Sequence, residues 1–150
     1  MVTTLVTIPS EYGYVLLAAT STFFVNTYHG LLTSRYRKAS GIKYPTAYAS
    51  AEQADKDPKA YTFNCAQRAH NNFTENLTPF LGALLIAGTK FPVYAAAIGG
   101  AWSLGRVLFA RGYTSGGPQG RMVGAIMGSL CDFTLKLMAG YVSLGYALGW

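Results

Sequence analysis

Charge is what this chain has least of. Of its 150 residues only 12 % are charged, about half the roughly 25 % of a soluble domain, and only six are acidic. Histidine and cysteine are as sparse, at two each. His29 and His70 supply too few nitrogen ligands for a zinc or di-iron centre, and carboxylates are too scarce to replace them, so no metal site is expected. Cys65 and Cys131 sit far apart in apolar surroundings and read as small packing residues rather than a disulfide or metal pair. There is no GxSxG elbow, HExxH, Walker loop or GxGxxG after a strand, which removes the common hydrolase, metalloprotease and nucleotide-binding signatures. The net charge of +6 forms no nucleic-acid face, because the basic residues gather in two connections between apolar runs. No nucleic-acid partner is expected.

What is present is apolar and aromatic, at 51 % and 14 % of the residues. The length fits a single domain over 1–150. Four apolar runs stand out, at about 12–32, 66–88, 92–110 and 122–150. Each is long enough to cross about 30 Å of hydrocarbon as a helix, and the expected helices are about 12–36, 64–88, 92–113 and 120–149. The first run follows Glu11 and lacks a basic flank, so it reads as a retained helix, not a cleaved signal. Residues 33–63 carry Arg35, Arg37, Lys38, Lys43, Lys56 and Lys59, and form a solvated loop that begins with an extension of the first helix. Arg111 and Arg121 flank a Gly116-Gly117-Pro118 turn signal. The opposite side offers only Lys90. This asymmetry places both large loops in the cytosol and both termini outside or in a lumen. Gly99, Gly100, Gly105, Gly124 and Gly128 are spaced for close helix packing in an oligomeric bundle.

The most informative stretch is residues 64–75. It sets Arg68, His70, Asn71, Asn72 and Glu75 directly before an apolar run. Arg68, Asn72 and Glu75 stand at i, i+4 and i+7 and share one helix face. Guanidinium, amide and carboxylate on one face suit a small zwitterionic ligand. Arg106, Phe109, Arg111 and Tyr113 end the third helix at the same level, and Arg35, Arg37 and Lys38 end the first. Only Asp132 and Lys136 stay apart from this convergence, which reads as an anion-friendly pocket near the cytosolic interface. Plainer readings stand beside it. The basic end of helix one can be a set of lipid anchors, Arg68 and Glu75 a structural pair, His70 a packed histidine, and Tyr113 an aromatic-belt residue. Asp132 and Lys136, at i and i+4, read as an internal salt bridge.

The motif Asn64-Cys-Ala-Gln-Arg-Ala-His-Asn-Asn-Phe-Thr-Glu75 resembles the helix-two motif of the MAPEG superfamily of membrane glutathione enzymes. The segments 43–48, 105–108, 112–113 and 116–121 add to the likeness, and the branch resembled is that of microsomal glutathione S-transferase 3. The resemblance implies an all-α, integral membrane four-helix bundle, assembled as a homotrimer, with glutathione as co-substrate bound between subunits. By position, Arg68, Asn72 and Glu75 would hold its carboxylates and amino group, and His70 would add a polar contact. Arg37 and Lys38 would reach a carboxylate, and Tyr113 would line the site. Arg121 would be the catalytic residue that stabilises the thiolate. Arg106 and Phe109 are further candidates. Phe109 replaces a tyrosine of relatives, and Asn76 and Leu77 stand where another tyrosine is usual.

The implied activity is conjugation of glutathione to lipophilic electrophiles, with glutathione-dependent reduction of lipid hydroperoxides or a leukotriene C4 synthase-like reaction. The alternative is a non-catalytic protein on the same scaffold that binds lipid or a partner protein. The resemblance implies the endoplasmic reticulum membrane, with the mitochondrial outer membrane as the alternative.

Overall fold

The computed structural model describes residues 9–149. The tail without basic residues at 1–8, and Trp150 at the end of the last apolar run, lie outside these residues. The described chain is all-helical: α1 Tyr12–Ser40, α2 Ala51–Lys56, α3 Pro58–Gly88, α4 Pro92–Gly120 and α5 Met122–Leu148.

The helices run further than the sequence expectation on the basic side. α1 continues to Ser40, and Gly41 stops it by turning into the left-handed region at φ 68°. α3 begins at Pro58 instead of near residue 64, because Asp57-Pro58 is a strong start signal. The Asp57 carboxylate accepts from the Lys59 N–H at 2.8 Å, and proline at the first position has no N–H to leave unpaired. The loop expected over 33–63 is thus reduced mainly to residues 41–50 and the short α2. Ser50 and Gln53 cap α2 reciprocally. α4 passes residue 113 but is kinked at Gly116 and Gly117, and Gly117 adopts φ 60°, ψ −150°, a conformation open to glycine alone.

α1 packs against α3 and α4, and α5 packs against the same two helices from the other side. Phe80 stacks on Trp102 with ring centroids 3.7 Å apart, and Phe73 meets both Trp102 and His29. Leu84, Leu135 and Val15 complete this fully buried centre. The α4–α5 contact depends on missing side chains. A Cβ on Gly124 would run into the backbone of Phe109 and Gly105, and one on Gly112 into that of Gly120. Gly100 differs from the packing expectation, since its Cα faces open space.

The outer surface is unusually apolar. Phe24, Leu17, Tyr94, Val123, Leu130, Phe133 and Leu148 are all more than half exposed, which a soluble monomer rarely tolerates over so wide an area. Among the described residues, α4 and α5 are long and apolar enough to cross a membrane. α1 and α3 have the length, 29 and 31 residues, but not the apolarity expected of four equal spans. The reason is their internal polar groups, several of which pair within the protein. Ser21 meets Ser103 at 2.8 Å, Asn26 meets His70, and Asn72 meets Arg106. Pairing of this kind is what an apolar solvent demands of a polar helix.

Candidate functional site

The polar residues of α3 separate onto different sides of the helix. On the exposed side, Arg68 Nη1 lies 3.2 Å from Glu75 Oε1, with both side chains about half exposed. An exposed pair of this sort contributes about 1 kcal/mol at most and leaves donors and acceptors open to a ligand. Asn72, one turn on from Arg68, turns inward. Its Oδ1 accepts from Arg106 Nη2 at 2.6 Å. Arg106 is only 5 % exposed, and its guanidinium also lies 4.8 Å from the Phe109 ring centroid. The spacing therefore places Arg68, Asn72 and Glu75 as expected along one side, while Asn72 is already engaged by a buried arginine.

A cavity of about 310 Å³ opens beside this pair, between α3, α4 and α5. Asn72 and Asn76 form its α3 wall, Trp102, Arg106 and Phe109 its α4 wall, and Ser129 and Asp132 its α5 wall. Arg121 stands at its rim, in the turn after the α4 kink. The Arg121 guanidinium lies 4.8 Å from the Tyr113 ring centroid and 5.6 Å from that of Phe109. Phe109 and Tyr113 themselves meet edge to face at 5.7 Å. A cation held over two rings is costly to displace.

Tyr113 also faces a second recess of about 350 Å³, shared with Arg68, Tyr48, Tyr61 and Cys65. The loop before α2 is fixed over this recess by two hydrogen bonds between Asn64 and Ala49, at 2.8 and 3.0 Å. Asn71 adds a third by donating to the Tyr48 hydroxyl at 2.7 Å. The contact of Tyr113 with Arg121 thus links the recess of Arg68 to the cavity of Asn72, Arg106 and Phe109.

Three candidates fall elsewhere within the chain. His70 lies on the α1 side of α3, with Nε2 3.3 Å from Asn26 Oδ1. Arg37 is buried between the rings of Tyr44 and Phe63, at 4.2 and 4.5 Å, and donates to the Thr46 carbonyl at 2.7 Å. It holds the 41–50 loop to α1 and α3. Lys38 is exposed and lines the groove beside Arg37.

Sequence reasoning missed Asp132. It does pair with Lys136, as the i, i+4 spacing indicates, but it also lines the cavity with Arg106 and Arg121. Its Oδ1 is buried with no hydrogen-bond partner. Asn76 also lines the cavity, and its amide donates back to the Asn72 carbonyl at 2.7 Å. Among the described residues no cluster of His, Cys, Asp and Glu could hold a metal ion.

Comparison with known proteins fits this geometry. An uncharacterised protein of Synechocystis sp. is 40 % identical over 78 residues, 51 % of this chain and 56 % of that protein. The match thus spans little more than half the length of this curated relative. The MAPEG family profile matches residues 15–141, which include α2, α3 and α4 whole, most of α1 and α5, and every candidate site residue. With two helices fit to cross a membrane and a match over most of its length, the chain belongs to the MAPEG family, which includes membrane glutathione transferases and related enzymes.

Proposed function

We propose that the protein is a membrane-bound glutathione transferase that conjugates glutathione to lipophilic electrophiles and reduces lipid hydroperoxides with the same thiol. It would act as a homotrimer of four-helix subunits in the endoplasmic reticulum membrane, with its large loops in the cytosol and both termini in the lumen. The observation that carries the reading is Arg121 at the rim of an inter-helix cavity, held over Tyr113 and Phe109. Tyr113, which meets Arg121, also lines the recess that holds Arg68, the partner of Glu75.

A thiol attacks as its thiolate, and an adjacent guanidinium favours that form at neutral pH. Arginine suits the task because it stays protonated and directs several donors from one plane. Arg68 and Glu75 would exchange their weak mutual pair for the carboxylates and amino group of glutathione, with Asn72 and Tyr113 bounding the peptide. In a trimer, Lys38 and His70 would approach a neighbour's site, while Arg37 would hold the loop beside them. The sulfur would attack the electrophilic carbon as the leaving group departs, or as the adduct takes up a proton. With a hydroperoxide, the sulfur would attack the terminal oxygen and release the alcohol, and a second glutathione would complete the disulfide and release water. The protein's share in either reaction is orientation and a ready thiolate.

The test is titration of the detergent-purified protein with glutathione, following thiolate absorbance, alongside Arg68→Ala and Arg121→Ala. Saturable binding is expected, weakened by Arg68→Ala, with the thiolate signal lost in Arg121→Ala. No binding at millimolar glutathione would overturn the reading. It would favour the second one, a non-catalytic protein that binds lipid or another protein, to which the missing hydroxyl at Phe109 and the missing ring at Asn76 point.

A further inference from the structure

A groove on the outer surface of α1 and α4 shares none of its lining residues with the cavities described above. It encloses about 500 Å³ and is lined by Tyr28, Arg35 and Tyr36 of α1 and by Arg111, Thr114 and Ser115 of α4, among others. No acidic residue lines it. Among the described residues neither Arg35 nor Arg111 has an acidic partner, since the three ion pairs use other cations. Both arginines are exposed. The hydroxyls of Thr114 and Ser115 are turned to carbonyls of their own helix, so the phenols of Tyr28 and Tyr36 and the two guanidiniums are the donors that face a ligand. A pocket with this lining selects a monoanionic or dianionic group such as a phosphate.

The groove does not end in solvent at its inner side. Toward the middle of the helices the same faces carry Phe24 and Leu17 on α1, 73 % and 67 % exposed. On α4 they carry Leu104, 53 % exposed, and Gly100, beside which space is open. By helical spacing these four residues continue the two faces of the groove, which sets an apolar trough beyond it. From Tyr28 to Leu17 the helix rises about 16 Å, close to the ~15 Å half-thickness of a bilayer's hydrocarbon. The cationic end lies on the same side of the molecule as Arg37 and Lys38 at the end of α1 and Lys43 just after it, where the headgroups of one leaflet would stand.

We propose that this groove binds one anionic phospholipid, with its phosphate between Arg35 and Arg111 and an acyl chain along the Phe24–Leu104 trough. Charge complementarity selects the headgroup, and the apolar continuation selects a lipid over a free anion. The site is independent of the glutathione reading, because Arg68, Tyr113 and Arg121 take no part in it.

The test is native mass spectrometry of the delipidated, detergent-solubilised full chain, titrated separately with phosphatidylglycerol, phosphatidylcholine and inorganic phosphate. The wild type is expected to retain phosphatidylglycerol in preference to phosphatidylcholine and to show no phosphate adduct. Binding should weaken about fivefold for each arginine removed, hence roughly 25-fold in Arg35→Gln/Arg111→Gln. The charge-matched control Lys43→Gln/Lys59→Gln should bind as the wild type does. Gly100→Leu, whose Cβ meets nothing within 4 Å, places a branched side chain on this face and should also weaken phosphatidylglycerol binding. Undiminished binding in the arginine double variant would overturn the proposal, as would equal retention of phosphatidylcholine. Inorganic phosphate bound as tightly as the lipid, with Gly100→Leu unaffected, would reassign the groove to a free anion and overturn the lipid assignment.

Discussion

At the scale of single residues, three arginines of one helical framework do three different things. Arg37 is consumed in structure, Arg106 is buried against an amide, and Arg121 lies over two rings beside the cavity. Arg121→Ala should therefore lower kcat by about two orders of magnitude while changing glutathione affinity only a few-fold, as expected for a group that acts chiefly on the thiolate. Steady-state kinetics beside equilibrium binding would check the split. Asn72→Leu should act on stability instead. It leaves a buried guanidinium short of its acceptor, at a cost of about 1.5–3 kcal/mol, visible as a lower unfolding temperature in detergent. The shared side of Arg68, Asn72 and Glu75 was legible because helical spacing is local. His70 stands two residues from Arg68, about 200° around the helix, which turns it to α1. The roles of Arg106 and Asp132 were not legible. They depend on which helices meet, and no short-range pattern encodes a contact between positions 34 residues apart.

At the scale of elements, glycine fixes what the apolar residues leave open. Gly105, Gly124 and Gly128 let α4 and α5 approach to backbone contact, and the kink at Gly116 and Gly117 allows Arg121 to return toward Tyr113. Gly124→Ala should separate the two helices and destabilise the protein by about 1–3 kcal/mol. Because the same contact forms the α4–α5 wall of the cavity, it should also weaken glutathione binding. Thermal unfolding and titration of one preparation would read both effects. The glycine spacing was visible in the sequence, but the early start of α3 was passed over. Proline reads first as a breaker, and only its placement directly after Asp57 makes it a start signal.

At the scale of the whole molecule, the exposed leucines and phenylalanines of α1, α4 and α5 exceed what one chain can keep in water. The predicted assembly is three chains of 16.1 kDa, and light scattering with the detergent contribution subtracted should return that mass. A mass of one chain would leave Lys38 and His70 with no neighbouring site to reach. The predicted orientation is checked by Lys43→Cys, which a membrane-impermeant maleimide should label from the cytosolic side of sealed microsomes.

Trp102 gives the protein a reporter of its own. The sequence holds two tryptophans, and Trp102 is buried against Phe80 while lining the cavity with Arg106. In a Trp150→Phe variant all tryptophan fluorescence would originate at that wall. A ligand seated in the cavity would change the polarity beside the indole and shift or quench its emission, so occupancy can be followed without a label. Glutathione that binds by an independent measure yet leaves this emission unaltered would have to sit in the outer recess of Arg68 and Tyr48. The emission of one residue thus distinguishes the two halves of the candidate surface.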